Sequence, residues 1–475
     1  IRKKVLLTTA IAYTNAAPHM GHAYEAVTAD VIARFHRAMG RDLFFLTGSD
    51  EHGQKIAGAA AAAGREPLAH CDEYVASFKD LYQKLGVTYD AYIRTTSPQH
   101  HKVAQALFTK AQEVGDIYLG AYSGWYNARE ETFVGDMEAA ANNYTDVETG
   151  KPLSKLEEPS YFFQLSKYQD QVRRHIEENP SFIQPDFARN SILERLQEPL
   201  RDLSVSRTSF KWGVPVPNDP EHVLYVWFDA LANYLSGCGG TPGAPGEWWP
   251  AGVHLIGKDI VWFHTVIWPA MLLSAGMELP ERVFAHGFVN DRLGRKMSKS
   301  LGNVQDPVAL LELFPGDTLR FFLASAVPFG ADLPFSRVAM VFAHNSLLAD
   351  GIGNLARRAL ALCEKHCGGA VPAGRVADLP FDYTEALQAM DAAFADMALQ
   401  RAAEVALGAV RATNKWLYLC EPWKLTAPED QAEKEAIIAT SVEAVLLIAH
   451  LFLPFAPEAA ASLLSSLAFP ATPLP

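Results

Sequence analysis

Cysteine is scarce: five residues in 475, at positions 71, 238, 363, 367 and 420, with no Cys-x-x-Cys pair among them. That number and spacing exclude a disulfide framework and suit a reducing compartment. Cys363 and Cys367 flank His366, but they stand on a helical pattern without a second cysteine pair, so they read as structural thiols. Positive charge is also short. Lys plus Arg number 41 against 54 Asp plus Glu, a formal net charge of −13, which excludes a general basic surface for nucleic acid. Residues 344–475 are acidic too, with 9 basic against 15 acidic side chains, so RNA contacts there must come from a few residues. No apolar run approaches the roughly 20 residues of a membrane-spanning helix; the nearest, Ala444 to Ala456, contains His450 and Pro454 and reads as a buried bundle helix. A cytoplasmic chain without membrane contact is expected, with an organellar form left open. The first apolar strand starts by Val5, so no presequence is expected.

What is present points to a nucleotide. The length and the 49% hydrophobic content allow two to four domains with substantial cores. The apolar run Val5 to Ile11 predicts a buried strand and Ala23 to Met39 a helix. Pro18-His19-Met20-Gly21-His22 is the turn between them. Backbone N–H groups at a helix start favour phosphate, and Gly21 lets a nucleotide approach closely. His19 and His22 share one side of the first turn, where both can donate to a phosphate whose charge grows in a transition state. Lys296-Met297-Ser298-Lys299-Ser300 supplies two lysines, Lys296 and Lys299, on a loop. Taken singly, a histidine pair is a chance event and a lysine cluster a solvated loop. Together, in this order, they describe an ATP site.

The chain here resembles the class I aminoacyl-tRNA synthetases, whose signatures have the forms His-Ile-Gly-His and Lys-Met-Ser-Lys-Ser. The interval between the two motifs has no room for the editing domain of the isoleucyl, leucyl and valyl enzymes. Thr47-Gly-Ser-Asp50-Glu51-His52-Gly53, Tyr225-Val-Trp227-Phe-Asp229-Ala230-Leu231-Ala-Asn-Tyr234 and Ile256-Gly257-Lys258-Asp259-Ile260 through His264 to Trp268 look like the methionyl-tRNA synthetase family. The resemblance runs from Val5 through the C-terminal helices. It implies an α/β fold, a Rossmann-like doubly wound parallel sheet interrupted by a connective insertion and followed by an all-α helix bundle. The expected segments are 1–113 and 223–290 for the two halves of the nucleotide fold, 114–222 for the insertion, 291–343 for the lysine loop and stem-contact region, and 344–475 for the bundle. The insertion contains no cysteine, so the zinc knuckles common in relatives are not expected, and no metal ligand is named.

Asp50 follows the apolar run Leu43 to Leu46, at a strand's C-terminal end where open α/β sheets bind ligands; the family uses the matching residue to hold the amine. A thioether suits an apolar, polarizable pocket with aromatic neighbours, which Tyr13, Trp227, Tyr234, Phe263 and Trp268 can provide. The resemblance adds Ile11, Val226, Ala230, Leu231, Ile260 and His264. Singly, each apolar residue equally suits a core, and His264 an ordinary buried histidine. Ala10 and Ala12 stand where the family commonly has proline and tyrosine, which predicts a wider pocket mouth. Gly21, Gly257 and Asp259 are expected at the ATP, the last two at its ribose, and His286, Gly287, Phe288 and Val289 beside the adenine.

The implied reaction joins methionine to ATP as methionyl-adenylate and then to methionine tRNA, with His19, His22, Lys296 and Lys299 stabilising charge and Mg2+ on the pyrophosphate. After the lysine loop, Asp317–Ala324, Val338 onward, 383–419 and 430–453 read as helices. Leu348, Ile352, Leu355, Ala359 and Leu362 form an apolar stripe, which leaves Asn354 and Arg358 together on another side. The resemblance assigns Asn354, Arg358 and Trp423 to the anticodon; Trp423 as a buried bundle anchor is the alternative. No C-terminal appendage of the dimerising kind is recognised, so a monomer is expected. An adenylate-forming ligase without tRNA and a non-catalytic RNA-binding paralogue are the rival readings.

Overall fold

The computed structural model describes residues 4–127, 132–134, 136–147, 149–297, 302–376 and 378–469. They form two compact units: 1–18, 43–81 and 88–286 make the first, and 19–42, 82–87 and 287–475 the second.

The first unit is built on a seven-stranded sheet. Its strands are β1 (Val5–Thr9), β2 (Ala12–Tyr13), β3 (Leu43–Asp50), β4 (Ala91–Arg94), β5 (Ile183–Gln184), β6 (Val253–Gly257) and β7 (Val283–His286). Every pairing is parallel: β3 with β1, β2 and β4, β1 with β6, β6 with β7, and β7 with β5. Parallel strands are covered on both faces, which is why Leu6, Leu7, Phe45, Leu46, Leu255 and Ile256 are buried on either side of the pleat. The helix Pro98–Glu113 adds Val103, Leu107 and Phe108 to the same core.

Two expectations are corrected here. The first strand does not run unbroken to Ile11: Val5 pairs with Leu43 but Ala12 with Ser49, a register slip of one residue, so the chain kinks at Ala10–Ile11. The stretch 114–222 is not wholly separate from the sheet either. It does contain an antiparallel four-stranded sheet led by the long ladder of Ile117–Asn127 with Ser154–Phe163, yet its Ile183–Gln184 returns as edge strand β5. Two residues are too short to register as a strand by pattern.

The second unit holds the helix Met20–Ala38 and most of the C-terminal helices. Asp30 accepts from Arg34 Nε at 2.7 Å and lies 2.7 Å from Arg320 Nη1. Arg320, 1% exposed, also donates to the carbonyls of Leu85 and Pro454 at 3.0 and 2.9 Å. Phe35 stacks on Phe394 at 4.0 Å, and Arg41 donates to Asp391 at 2.6 Å, so this helix is packed against the bundle. The sequence pattern misses two features. His344–Gly353 is a π-helix whose wider turn moves Leu348 off the buried line of Ile352, Leu355 and Ala359. The expected 383–419 helix is two, Tyr383–Ala395 and Leu399–Cys420, split where Met397 takes φ 56°. One helical stretch, Pro428–Phe452, proves long and apolar enough to cross a membrane by length and composition; 72% of its apolar window is buried inside the fold.

Replacing Asp30 by Ala strands the Arg320 guanidinium without its carboxylate in a dry interior. Such a change costs about 3–5 kcal/mol, read as a lower urea midpoint; a midpoint equal to wild type would show that the pair carries no stability.

Candidate active site

The carboxyl edge of the sheet gathers several of the expected binding residues. Asp50, 4% exposed, ends β3 opposite Tyr13, and its carbonyl accepts from Thr14 N–H at 3.1 Å and Thr14 Oγ1 at 3.2 Å. Ile11 sits in the kink, and Gly257 ends β6 with the exposed Asp259 just beyond. A Cβ on Gly257 would fall 2.6 Å from Asp259 Oδ1, so the carboxylate folds over the glycine. Ala12 is buried in the sheet.

An aromatic wall stands on the helical segments that follow. Trp227, on Val226–Leu231, stacks on Phe263 with 3.7 Å between rings and 9° between planes, and meets His264 edge-on at 6.4 Å. Tyr234 and Trp268 are fully buried and lie 6.1 Å apart. His264 Nδ1–H donates to the Ile260 carbonyl at 2.9 Å, so Nε2 accepts from Tyr234 O–H at 2.6 Å. Burial pushes the His264 imidazole down to about 4, against the Ile260 carbonyl, and the ring is neutral at pH 7. His264 and Trp268 are thus core groups by packing, and Trp227, Phe263, Ile260 and Tyr13 keep part of their surface open. Glu51, beside Asp50, stands in a signature segment in which the sequence assigned it no role. Fully buried, it takes Arg94 at 2.7 and 2.9 Å and Thr96 at 2.5 Å, and fixes the strand end. An acidic residue directly after another carboxylate gave no pattern to read.

In the second unit the two histidines begin the helix. His19 is its N-cap, Gly21 N–H donates to His19 Nδ1 at 3.0 Å, and His19 N–H donates to His22 Nδ1 at 3.1 Å. The rings stack at 3.8 Å. Each Nδ1 is an acceptor, which leaves each neutral ring its proton on Nε2. Burial, then the adjacent His19, drives His22 well below the usual imidazole range. The neutral ring remains a hydrogen-bond donor through that Nε2–H. Gly21 has a further reason to be glycine: a Cβ there would sit 2.8 Å from His19 Cε1.

Gly287, Phe288 and Val289 pass close to Ala331–Leu333; a Cβ on Gly287 would come within 2.2 Å of the Ala331 carbonyl oxygen, and Phe288 N–H donates to Asp332 Oδ1 at 2.8 Å. His286 is buried at the end of β7. Lys296 is exposed and bridges Asn290 across an antiparallel pair. Asp291 organises this loop: Oδ1 accepts from the N–H groups of Leu293 and Arg295, both at 2.9 Å, and Oδ2 from Arg295 Nε at 2.8 Å and Asn303 Nδ2 at 3.0 Å. Asn303 Nδ2 also reaches the Lys296 carbonyl at 3.2 Å. The Asn303 and Arg295 bonds hold the Asp291 carboxyl well below the usual range. Asp291 and Asn303 went unread because neither belongs to the motif. Lys299 lies outside the described residues.

On the bundle, Arg358 sits over the Trp423 ring at 5.9 Å and donates to Asn414 Oδ1 at 3.3 Å, whereas Asn354 accepts from Arg357 at 3.1 Å. Trp423 is 41% exposed, so it is not a buried anchor.

A parallel sheet with an acid at its carboxyl edge, together with the histidine and lysine signatures, defines a class I aminoacyl-tRNA synthetase. The family model described as tRNA synthetases class I (M) matches residues 5–360, and that of the anticodon binding domain of methionyl tRNA ligase matches 368–475. The chain belongs to the methionyl-tRNA synthetase family. It is 45% identical to the methionine–tRNA ligase of Mycobacterium bovis, covering 98% of this chain and 92% of that one. It is 44% identical to that of Rhizobium meliloti over the same shares. The structure of Mycobacterium tuberculosis methionyl-tRNA synthetase in complex with methionyl-adenylate is 42% identical and superposes with a TM-score of 0.92, over 99% of this chain and 94% of that one.

Asp291→Ala removes four hydrogen bonds that shape the Lys296 loop. A misplacement of about 1 Å at a reacting group costs about a hundredfold in rate, so ATP–pyrophosphate exchange should fall by that order while thermal unfolding barely changes. Exchange at the wild-type rate would free the loop from this carboxylate.

Proposed function

We infer that the chain activates L-methionine with ATP and transfers it to methionine tRNA. The observation that carries this is its likeness, along nearly the whole chain, to the Mycobacterium tuberculosis enzyme solved in complex with methionyl-adenylate. The methionine carboxylate attacks the α-phosphate and pyrophosphate leaves; a ribose hydroxyl of the tRNA terminus then attacks the acyl carbon of the adenylate, forming the ester and releasing AMP. No covalent enzyme intermediate is needed. Catalysis of this kind is positioning and charge stabilisation, so His19, His22, Lys296 and Lys299 are read as donors to the phosphates. Gly21, Gly257, Asp259, His286, Gly287, Phe288 and Val289 are read at the nucleotide.

Asp50 supplies the anion for the ammonium group. Ile11, Tyr13, Val226, Trp227, Ala230, Leu231, Ile260 and Phe263 line the side-chain pocket, backed by Tyr234, His264 and Trp268. A neutral His264 and a Tyr234 that spends its proton on it leave an uncharged wall, which suits a thioether. Among the described residues no group of three or more His, Cys, Asp or Glu is arranged to hold a metal. Magnesium is read as arriving on the ATP phosphates, and the insertion, which contains no cysteine, as carrying no zinc knuckle. The five cysteines are all free, which fits a cytoplasmic location. The helices from 344 onward are read as the anticodon-binding part, with Arg358 and Trp423 as a cation–ring platform for an unpaired base and Asn354 beside it on the same helix.

Two assays on one preparation test this. Pyrophosphate exchange should depend on methionine and scarcely respond to leucine or isoleucine, whose shape the pocket must reject because one methylene is worth only about 1–3 kcal/mol; comparable exchange with leucine would refute the assignment. Trp423→Ala should cut tRNA charging by about fivefold to a hundredfold, the worth of one stacked base, and leave exchange unchanged. Loss of both activities together would remove Trp423 from the tRNA site.

A further inference from the structure

Asp229 is fully buried on the Val226–Leu231 helix, between Trp227 and Ala230 in sequence. Its two oxygens are taken by two imidazoles. Oδ2 lies 2.7 Å from His52 Nδ1 and Oδ1 lies 2.6 Å from His100 Nε2, distances at which a ring N–H donates to a carboxylate. Each partner belongs to a different segment. His52 follows Asp50 just past the end of β3. His100 lies on the helix Pro98–Glu113, and its other ring nitrogen is 2.9 Å from Ser236 Oγ, two residues beyond Tyr234. His52 in turn packs edge-on against Trp212, whose own Nε1 donates to the Glu51 carbonyl at 2.5 Å. Burial by itself would push the Asp229 carboxyl up; His52 and His100 override it and hold the group well below the usual carboxylate range.

The consequence is geometric. An anion in a dry interior is tolerated only while its partners stay in place, so neither histidine can move away from Asp229 cheaply. The two contacts therefore fix the end of the Asp50 strand, the Trp227 helix and, through Ser236, the Tyr234 segment against one another. We propose that His52, Asp229 and His100 are positioning residues for the amino acid, a clamp that sets the spacing between the ammonium-binding Asp50 and the wall formed by Trp227, Ala230, Leu231 and Tyr234. This rests on the reading of that pocket as the methionine site. None of the three touches the substrate; they act by holding residues that do. A network that merely stabilised the fold would have no reason to discriminate between the two substrates, whereas the clamp serves the methionine pocket and leaves the ATP groups on other segments alone.

The test is pyrophosphate exchange by the full chain, with methionine varied at saturating ATP and ATP varied at saturating methionine, on wild type, Asp229→Asn, His100→Gln and His100→Ala, with thermal unfolding of the same preparations. Asp229→Asn keeps the volume but turns one acceptor into a donor facing a histidine. The KM for methionine should rise about tenfold or more, with the KM for ATP and the rate at saturating methionine within about twofold of wild type. His100→Gln, which retains an N–H donor, should restore most of what His100→Ala loses. An unchanged KM for methionine in a folded variant, or an equal rise for both substrates, overturns the clamp. Should Asp229→Asn fail to fold, the same two outcomes are read on His100→Gln and His100→Ala. Wild-type exchange that does not need methionine would instead bring down the pocket assignment itself, and the clamp with it.

Discussion

The parallel pairing of β1 with both β3 and β6 is the constraint on which the rest depends. Strands that run the same way end at the same edge, so Ile11, Asp50 and Gly257 reach one side of the sheet without any further device. The apolar cover that parallel strands require keeps that edge rigid. The one-residue slip at Ala10–Ile11 then ends the ladder early and lets the chain turn before Tyr13 pairs with Asp50.

Charge is handled by the same economy in both units. Three buried carboxylates are each answered by a basic partner: Asp229 between two histidines, Glu51 under Arg94, Asp30 under Arg320. His264 and His254, which make no carboxylate contact among the described residues, are driven neutral by burial, and burial does the same to His22 at the helix start. Neutral imidazoles whose Nδ1 is occupied by a backbone N–H have one proton to give, on Nε2. That is a more specific donor than a charged ring, whose two N–H groups compete for partners.

Much of this was legible in the chain itself. The signature segments and the apolar run before Asp50 located the nucleotide fold, because motif chemistry and strand burial leave local traces. Less visible were features that depend on contacts distant in sequence. Edge strand Ile183–Gln184 is two residues long and owes its conformation to β7. The π-helix at His344–Gly353 keeps an apolar composition that period counting takes for an α-helix. Asp229 and His52 stood in quoted segments without a role, since nothing local shows that they meet across 177 positions. Asp291 and Asn303 are ordinary loop residues until the loop is folded. Trp423 was ambiguous by sequence, and its exposed ring over Arg358 decides against the buried anchor.

The reading turns most directly on Asp50 as the anion for the amino group, and calorimetric titration of methionine in the absence of ATP tests it. Truncating one partner of a buried charge pair costs about 2–5 kcal/mol, so Asp50→Asn should weaken methionine binding by about a hundredfold. The amine-free analogue 4-(methylthio)butanoate should bind wild type and variant alike. Equal methionine affinity in a variant that unfolds like wild type would contradict the assignment and move the amino-acid site away from the end of β3.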